Sequence, residues 1–184
     1  MDPSVRSRPP QSVSSPWQRS IAFYVMACVG WLVVIGSWMR YGTFDANEFF
    51  AEQRDVYLRH PFTLYAHVMS SGAALIAGPL QLHRRLRERL PYVHRIFGAI
   101  YLVAVLCGAL TGLALATWAY GGWPARLGFA TLAMLWLTTG TIALYQVRQR
   151  NIQAHLAWSV RNFALAFAAV TFGPPPFQWT VGSV

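Results

Sequence analysis

The side chains in this sequence best suited to chemistry are its histidines, His60, His67, His83, His94 and His155, and the arginines set beside several of them. A neutral imidazole can ligate a transition metal or a haem iron, and a guanidinium can pair with the carboxylates such a group carries. The densest grouping runs from Gly78 to Gly98, where His83 and His94 stand among Arg84, Arg85, Arg87, Arg89 and Arg95. A second begins at His155, which opens the pattern His155-x-x-Trp158-x-x-Arg161. His67 stands apart, three and four residues before Ser70 and Ser71, on a small and weakly polar helical face that Ala74 and Gly78 continue. Nucleophilic catalysis has no support, because no Ser or Cys near a histidine is accompanied by an acid within the apolar runs.

A membrane must position these groups. Of the 184 residues 55% are hydrophobic and 11% charged, against about 25% charged in an ordinary soluble domain. The net charge of +9 comes from arginine without any lysine. These arginines flank apolar runs instead of interleaving with aromatics on a polar surface, which excludes nucleic acid as the partner and points to the lipid bilayer. Cys28 and Cys107 lie inside apolar runs, so they read as small core residues and neither a disulfide framework nor a cysteine-rich metal site is available.

Taken in order, residues 1–19 are rich in Pro and Ser and predict a disordered cytoplasmic tail. A membrane domain over 20–173 follows, with spans at about 21–39, 61–82, 96–120, 127–147 and 154–172, each long enough to cross the hydrocarbon as a helix. Val25-Met26-Ala27-Cys28 resembles a lipoprotein cleavage box, but too few apolar residues precede it and the run continues past it, so the first span is retained. Gly173 with Pro174, Pro175 and Pro176 ends the last span, leaving 174–184 as an outer tail.

Between the first two spans, Asp45-Ala46-Asn47-Glu48 has the form of a helix start. Asp45, Glu48, Glu52 and Asp55 would share one face of a short amphipathic helix on the outer surface, either as a solvated face or as a cation or docking site.

The loops set the orientation. One side receives Arg6, Arg8, Arg19, the arginines from Arg84 to Arg95, Arg148 and Arg150, and the other receives Arg40, Arg54, Arg59 and Arg126. The positive-inside rule then predicts an all-α bundle of five transmembrane helices, N-terminus cytoplasmic and C-terminus outside, multi-pass in a bacterial inner membrane. This puts His83, His94 and His155 at the cytoplasmic end and His60 and His67 at the outer end. Haem b suits the inner group, with His94 and His155 as axial ligands and Arg95 and Arg161 for the propionates. A metal held by His94 and His155 without haem is an alternative. So is a purely structural role, because polar residues belong at an interface in any case. Gly108 and Gly112 fall near the depth of His67 and would make room there for something flat.

The run Gly78-Pro79-Leu80-Gln81-Leu82, with Pro91-x-x-His94-Arg95-x-x-Gly98-x-x-Tyr101 and His155-x-x-Trp158-x-x-Arg161, resembles a family of small bacterial integral membrane proteins catalogued only as a domain of unknown function. The resemblance covers about 61–171 and implies a helical bundle. It supports His94, His155, Trp158 and Arg161 as residues to test and supplies no reaction; the helix-end histidines suggest kinship with membrane b-type cytochromes. Three functions stay open: a haem-binding or redox-associated protein, a non-catalytic accessory subunit contacting other membrane proteins, and an enzyme or transporter holding a lipophilic molecule beneath His67.

Overall fold

The structure, a computed structural model, describes residues 16–43, 45–49 and 51–172. They form seven helices and no strand: α1 (Pro16–Tyr41), α2 (Arg54–Arg59), α3 (Pro61–Leu82), α4 (Arg84–Arg89), α5 (Pro91–Ala116), α6 (Gly122–Arg148) and α7 (Ile152–Phe172). The expected outer tail, 174–184, and residues 1–15 of the expected cytoplasmic tail lie outside the described residues. Residues 16–19 of that tail are the first turn of α1.

Five helices are long, and their ends have local causes. Prolines open α3 and α5, where a missing N–H costs nothing and the fixed φ suits the first turn. The third span therefore begins at Pro91, not near 96, and it ends at Ala116, where the Thr117 hydroxyl donates 2.7 Å to the Ala114 carbonyl. The chain then turns through Gly121 and Gly122, whose φ values of +99° and +72° only glycine adopts without strain, into α6. The fourth span thus starts five residues before the expected 127.

The amphipathic outer helix is corrected. Residues 46–48 and 51–53 are separate 3-10 turns, and only α2 is α-helical. Phe49 breaks the run: it is extended at φ −72°, ψ 151°, and buried against the rings of Tyr41 and Tyr57. Asp45 does cap the first turn, accepting from the Asn47 amide at 2.8 Å, but the four acids are split over three short elements and share no helical face. Burial, reinforced by nearby Tyr41, pushes the Tyr57 hydroxyl up from its ordinary range.

Packing closes α3, α5, α6 and α7 into a ring, each against the next, with α3 opposite α6 and α5 opposite α7; α1 lies outside, against α3 and α7. The core of this ring is built from Ala74, Ala77, Ala104, Ala109, Tyr101, Trp136 and Phe163. Small residues admit large rings from neighbouring helices, so the backbones approach closely without an aqueous hydrophobic driving force. A Cβ at Gly78 would fall inside the Phe163 ring, and one at Gly72 would lie 2.6 Å from the Trp38 indole nitrogen.

Three helices among the described residues, Phe23–Tyr41, Pro91–Ala116 and Gly122–Arg148, are long and apolar enough to cross a membrane. α3 and α7 have the length but not the apolarity, because they carry His67, Ser70, Ser71, His155, Ser159, Arg161 and Asn162.

Candidate functional site

The polar groups of α3 and α7 sort into three levels. At the level farthest from α4, His60 stacks on Trp118, ring centroids 3.9 Å apart and 6° from parallel, tying the α2–α3 joint to the α5–α6 turn. One helical level deeper, His67 Nδ1 lies 3.0 Å from the Gly108 carbonyl, so that nitrogen carries the proton and donates. The ring fills the space over Gly112, where a Cβ would come within 3.0 Å of it, and the Trp136 ring fills the space over Gly108 in the same way. The room expected for a flat ligand beside His67 is thus taken by the protein's own imidazole and indole.

The middle level holds a group that sequence reasoning did not single out. Asn162 is completely buried, yet every polar atom of its amide is used. Its nitrogen donates to the Trp136 carbonyl at 2.6 Å and to the Thr139 hydroxyl at 2.8 Å, and its oxygen accepts from the Tyr101 hydroxyl at 2.7 Å. One side chain on α7 thereby joins α5 and α6. The available signal was a tyrosine that closes one motif and an asparagine that directly follows the other.

At the α4 end lie the two histidines named as ligands. α5 and α7 are opposite members of the ring and run in the same direction, so His94 and His155, each in the first turn of its helix, face the same end of the bundle. His155 Nδ1 donates to the Ala143 carbonyl of α6 at 2.8 Å, which fixes the tautomer and leaves Nε2 with its lone pair. His94 Nδ1 is buried without a hydrogen-bond partner. Its backbone carbonyl is held by the Gln81 amide of α3 at 2.8 Å.

Not every residue of the expected set joins them. Arg95 is exposed on α5. Arg161 is also exposed, its guanidinium 4.9 Å from the centre of the half-buried Trp158 ring, six residues and roughly 240° around the helix from His155. Among the described residues no group of three or more His, Cys, Asp or Glu side chains could hold a metal ion. Two cavities of about 220 Å³ and 510 Å³ lie elsewhere, one between α1 and the end of α3 beside His83, the other an apolar groove on the outer face of α3 and α5.

An all-helical bundle with three strongly apolar spanning helices and polar residues gathered inside defines an integral membrane protein. The chain belongs to the family described as predicted membrane protein (DUF2306), whose model matches residues 64–180. That match takes in the helices of the ring and leaves out α1. Comparison with curated proteins and with solved structures found no match.

Proposed function

We propose that the chain is a haem b-binding, redox-associated protein of a bacterial cytoplasmic membrane, crossing it five times with the His94–His155 end toward the cytoplasm. One observation carries the reading: two imidazoles on opposite, parallel helices of the ring lie at the same end of the bundle, one with its tautomer fixed by Ala143 and the other with a buried, unpartnered nitrogen. The donor count favours haem over a bare ion. Two histidines are too few for an ion held by side chains alone, whereas haem brings its own equatorial nitrogens and takes only axial ligands from the protein.

In this reading His94 and His155 would hold the haem iron, the Ala143 carbonyl orients His155, and the Gln81 amide sets the height of His94. Arg87 of α4 stands at the aqueous edge, where propionates would emerge. When bound, haem supplies a one-electron couple. The chain's own part is to hold the ligands, to supply positive charge at that edge and, through the packed middle level, to exclude water beneath the site.

The five-span reading is supported by α3 and α7, which, although less apolar, are as long as the bilayer requires and turn most of their polar groups inward, Gln153 and Arg161 excepted. The test is the absorption spectrum of protein purified after expression with ample haem. A Soret band with reducible α and β bands is expected; its absence would end this reading.

A further inference from the structure

The smaller of the two cavities is apolar along its length and charged at its mouth. It has a volume of about 220 Å³ and is lined by Phe23, Tyr24 and Trp31 of α1, Pro79 and Leu80 of α3, and Leu86 of α4. Phe23 and Trp31 are about 12 Å apart along the helix axis, so the crevice extends well into the depth of the hydrocarbon. Tyr24 and Trp31 are both exposed, which leaves its outer side open to lipid.

The mouth is set by α4, which directly precedes the strongly apolar α5 and so lies at the membrane surface. At 3.6 residues per turn, Arg85 and Arg89 fall within about 40° of each other on α4, on one flank of Leu86, and both are exposed. His83 lines the crevice too, its ring centroid 6.3 Å from that of Phe23. Glu88 is the only acid in the chain after Asp55, and Arg84 already holds it at 2.7 Å. Among the described residues Arg85 and Arg89 therefore have no carboxylate partner. Orientation by positive charge asks only for arginines on one side of the membrane. It does not ask for an apolar crevice beside two neighbouring guanidinium groups. A phospholipid matches both halves, because its acyl chain suits the lining and its phosphate accepts from arginine.

We propose that the crevice between α1, α3 and α4 is a binding site for an anionic phospholipid, with one acyl chain along Phe23, Tyr24 and Trp31 and the phosphate held at the mouth by Arg85 and Arg89. A lipid of net negative charge is preferred to a zwitterionic one, whose ammonium group these arginines repel. The bound lipid fills a gap in the seam that joins α1 to the ring. The site stands apart from the haem reading, which uses neither the crevice nor His83, Arg85 or Arg89.

The test uses the full chain in phosphatidylcholine vesicles. The probe is a minor amount of phosphatidylglycerol with a diazirine in one acyl chain, and phosphatidylcholine with the same modified chain is the control. After illumination, adducts are mapped by mass spectrometry. With the phosphatidylglycerol probe, labelling of Phe23, Tyr24, Trp31 and Leu80 should exceed that of the exposed Leu106 and Leu110 on α5 by about tenfold. With the control the two regions should label evenly. Arg85→Gln combined with Arg89→Gln should remove the excess, the corresponding pair of Lys substitutions should keep most of it, and Arg84→Gln, on the far side of α4, should leave it unchanged. Equal crevice labelling by the two lipids in the parent protein would overturn the proposal without recourse to any variant. An excess that survives the Gln pair would overturn it as well. Loss of the excess in inorganic phosphate, but not in chloride of the same ionic strength, would make the arginines a site for the free anion and overturn it equally.

Discussion

The side-chain amide of Gln81, in the last turn of α3, donates a 2.8 Å hydrogen bond to the backbone carbonyl of His94, in the first turn of α5. Gly98, one turn further along α5, keeps the space that Gln81 occupies, since a Cβ there would lie 3.1 Å from the amide oxygen. Bond and gap together fix how α3 crosses α5 and at what height the His94 ring is presented. Gln81→Leu keeps the bulk and removes the donor. It should cost about 1 kcal/mol and lower the haem content per protein, read from the thermal midpoint in detergent and the Soret absorbance. A variant equal to the parent in both would show that the bond positions nothing.

The Asn162 network should matter more to stability. Asn162→Leu leaves the Tyr101 hydroxyl without its acceptor in the core, which costs roughly 1–3 kcal/mol, whereas Tyr101→Phe removes a single bond and should cost less, nearer the ~0.6 kcal/mol average of hydrogen bonds within membranes. In the double variant the two effects should fall short of their sum, because both delete the same bond. Full additivity in an unfolding titration would contradict the shared bond.

Gly78 and Phe163 form a matched pair of gap and ring. Gly78→Ala should destabilise by about 1–3 kcal/mol through overpacking, and adding Phe163→Leu should recover much of the loss. If Gly78→Ala alone is harmless, the contact is looser than the ring position indicates.

For the histidines the expected outcome is selective. His94→Ala and His155→Ala should each abolish the Soret band, while His67→Ala should leave it intact and lower the melting temperature, because it opens space over Gly112 and removes the bond to Gly108. Bleaching by all three substitutions alike would point to general unfolding rather than ligation.

Orientation is open to a labelling test. With Cys28 and Cys107 replaced by Ala, a cysteine at Tyr120 should react with an impermeant maleimide from the outside of intact cells. One at Glu88 should react only after permeabilisation. The reverse pattern would invert the proposed topology.

The long helices were legible because a charge-free run of about 20 residues leaves few alternatives, and two of the ends that shifted did so where Pro91 and Gly121–Gly122 set the local geometry. The segment from Asp45 to Arg59 was not legible: acids at helical spacing predict a helix only when nothing between them is pulled elsewhere, and Phe49 is pulled into an aromatic cluster. For the proposed site, the pattern names His94 and His155 but does not give rotation about the helix axis. That rotation separates Arg161 from His155 and turns Asn162, its neighbour in sequence, into the centre of the core. The motif Gly78-Pro79-x-Gln81 looked like part of a basic hinge, yet its glycine and glutamine act as joints between helices.

The polar load of α3 and α7 also bears on how the chain is made. Centrally placed arginine costs about +2.5 to +3.5 kcal/mol on a translocon scale, and α7 carries Arg161 beside Asn162 and one turn and a half after His155. Such a segment gains little by entering lipid alone. It follows α6, which is strongly apolar and packs against it closely. Newly made α7 should therefore wait at the insertion machinery until α6 is there to receive it, and the two should partition together as a hairpin. In a glycosylation-mapping assay α7 alone should insert poorly and the α6–α7 pair well; efficient insertion of α7 by itself would show that its polar residues are tolerated without a neighbour.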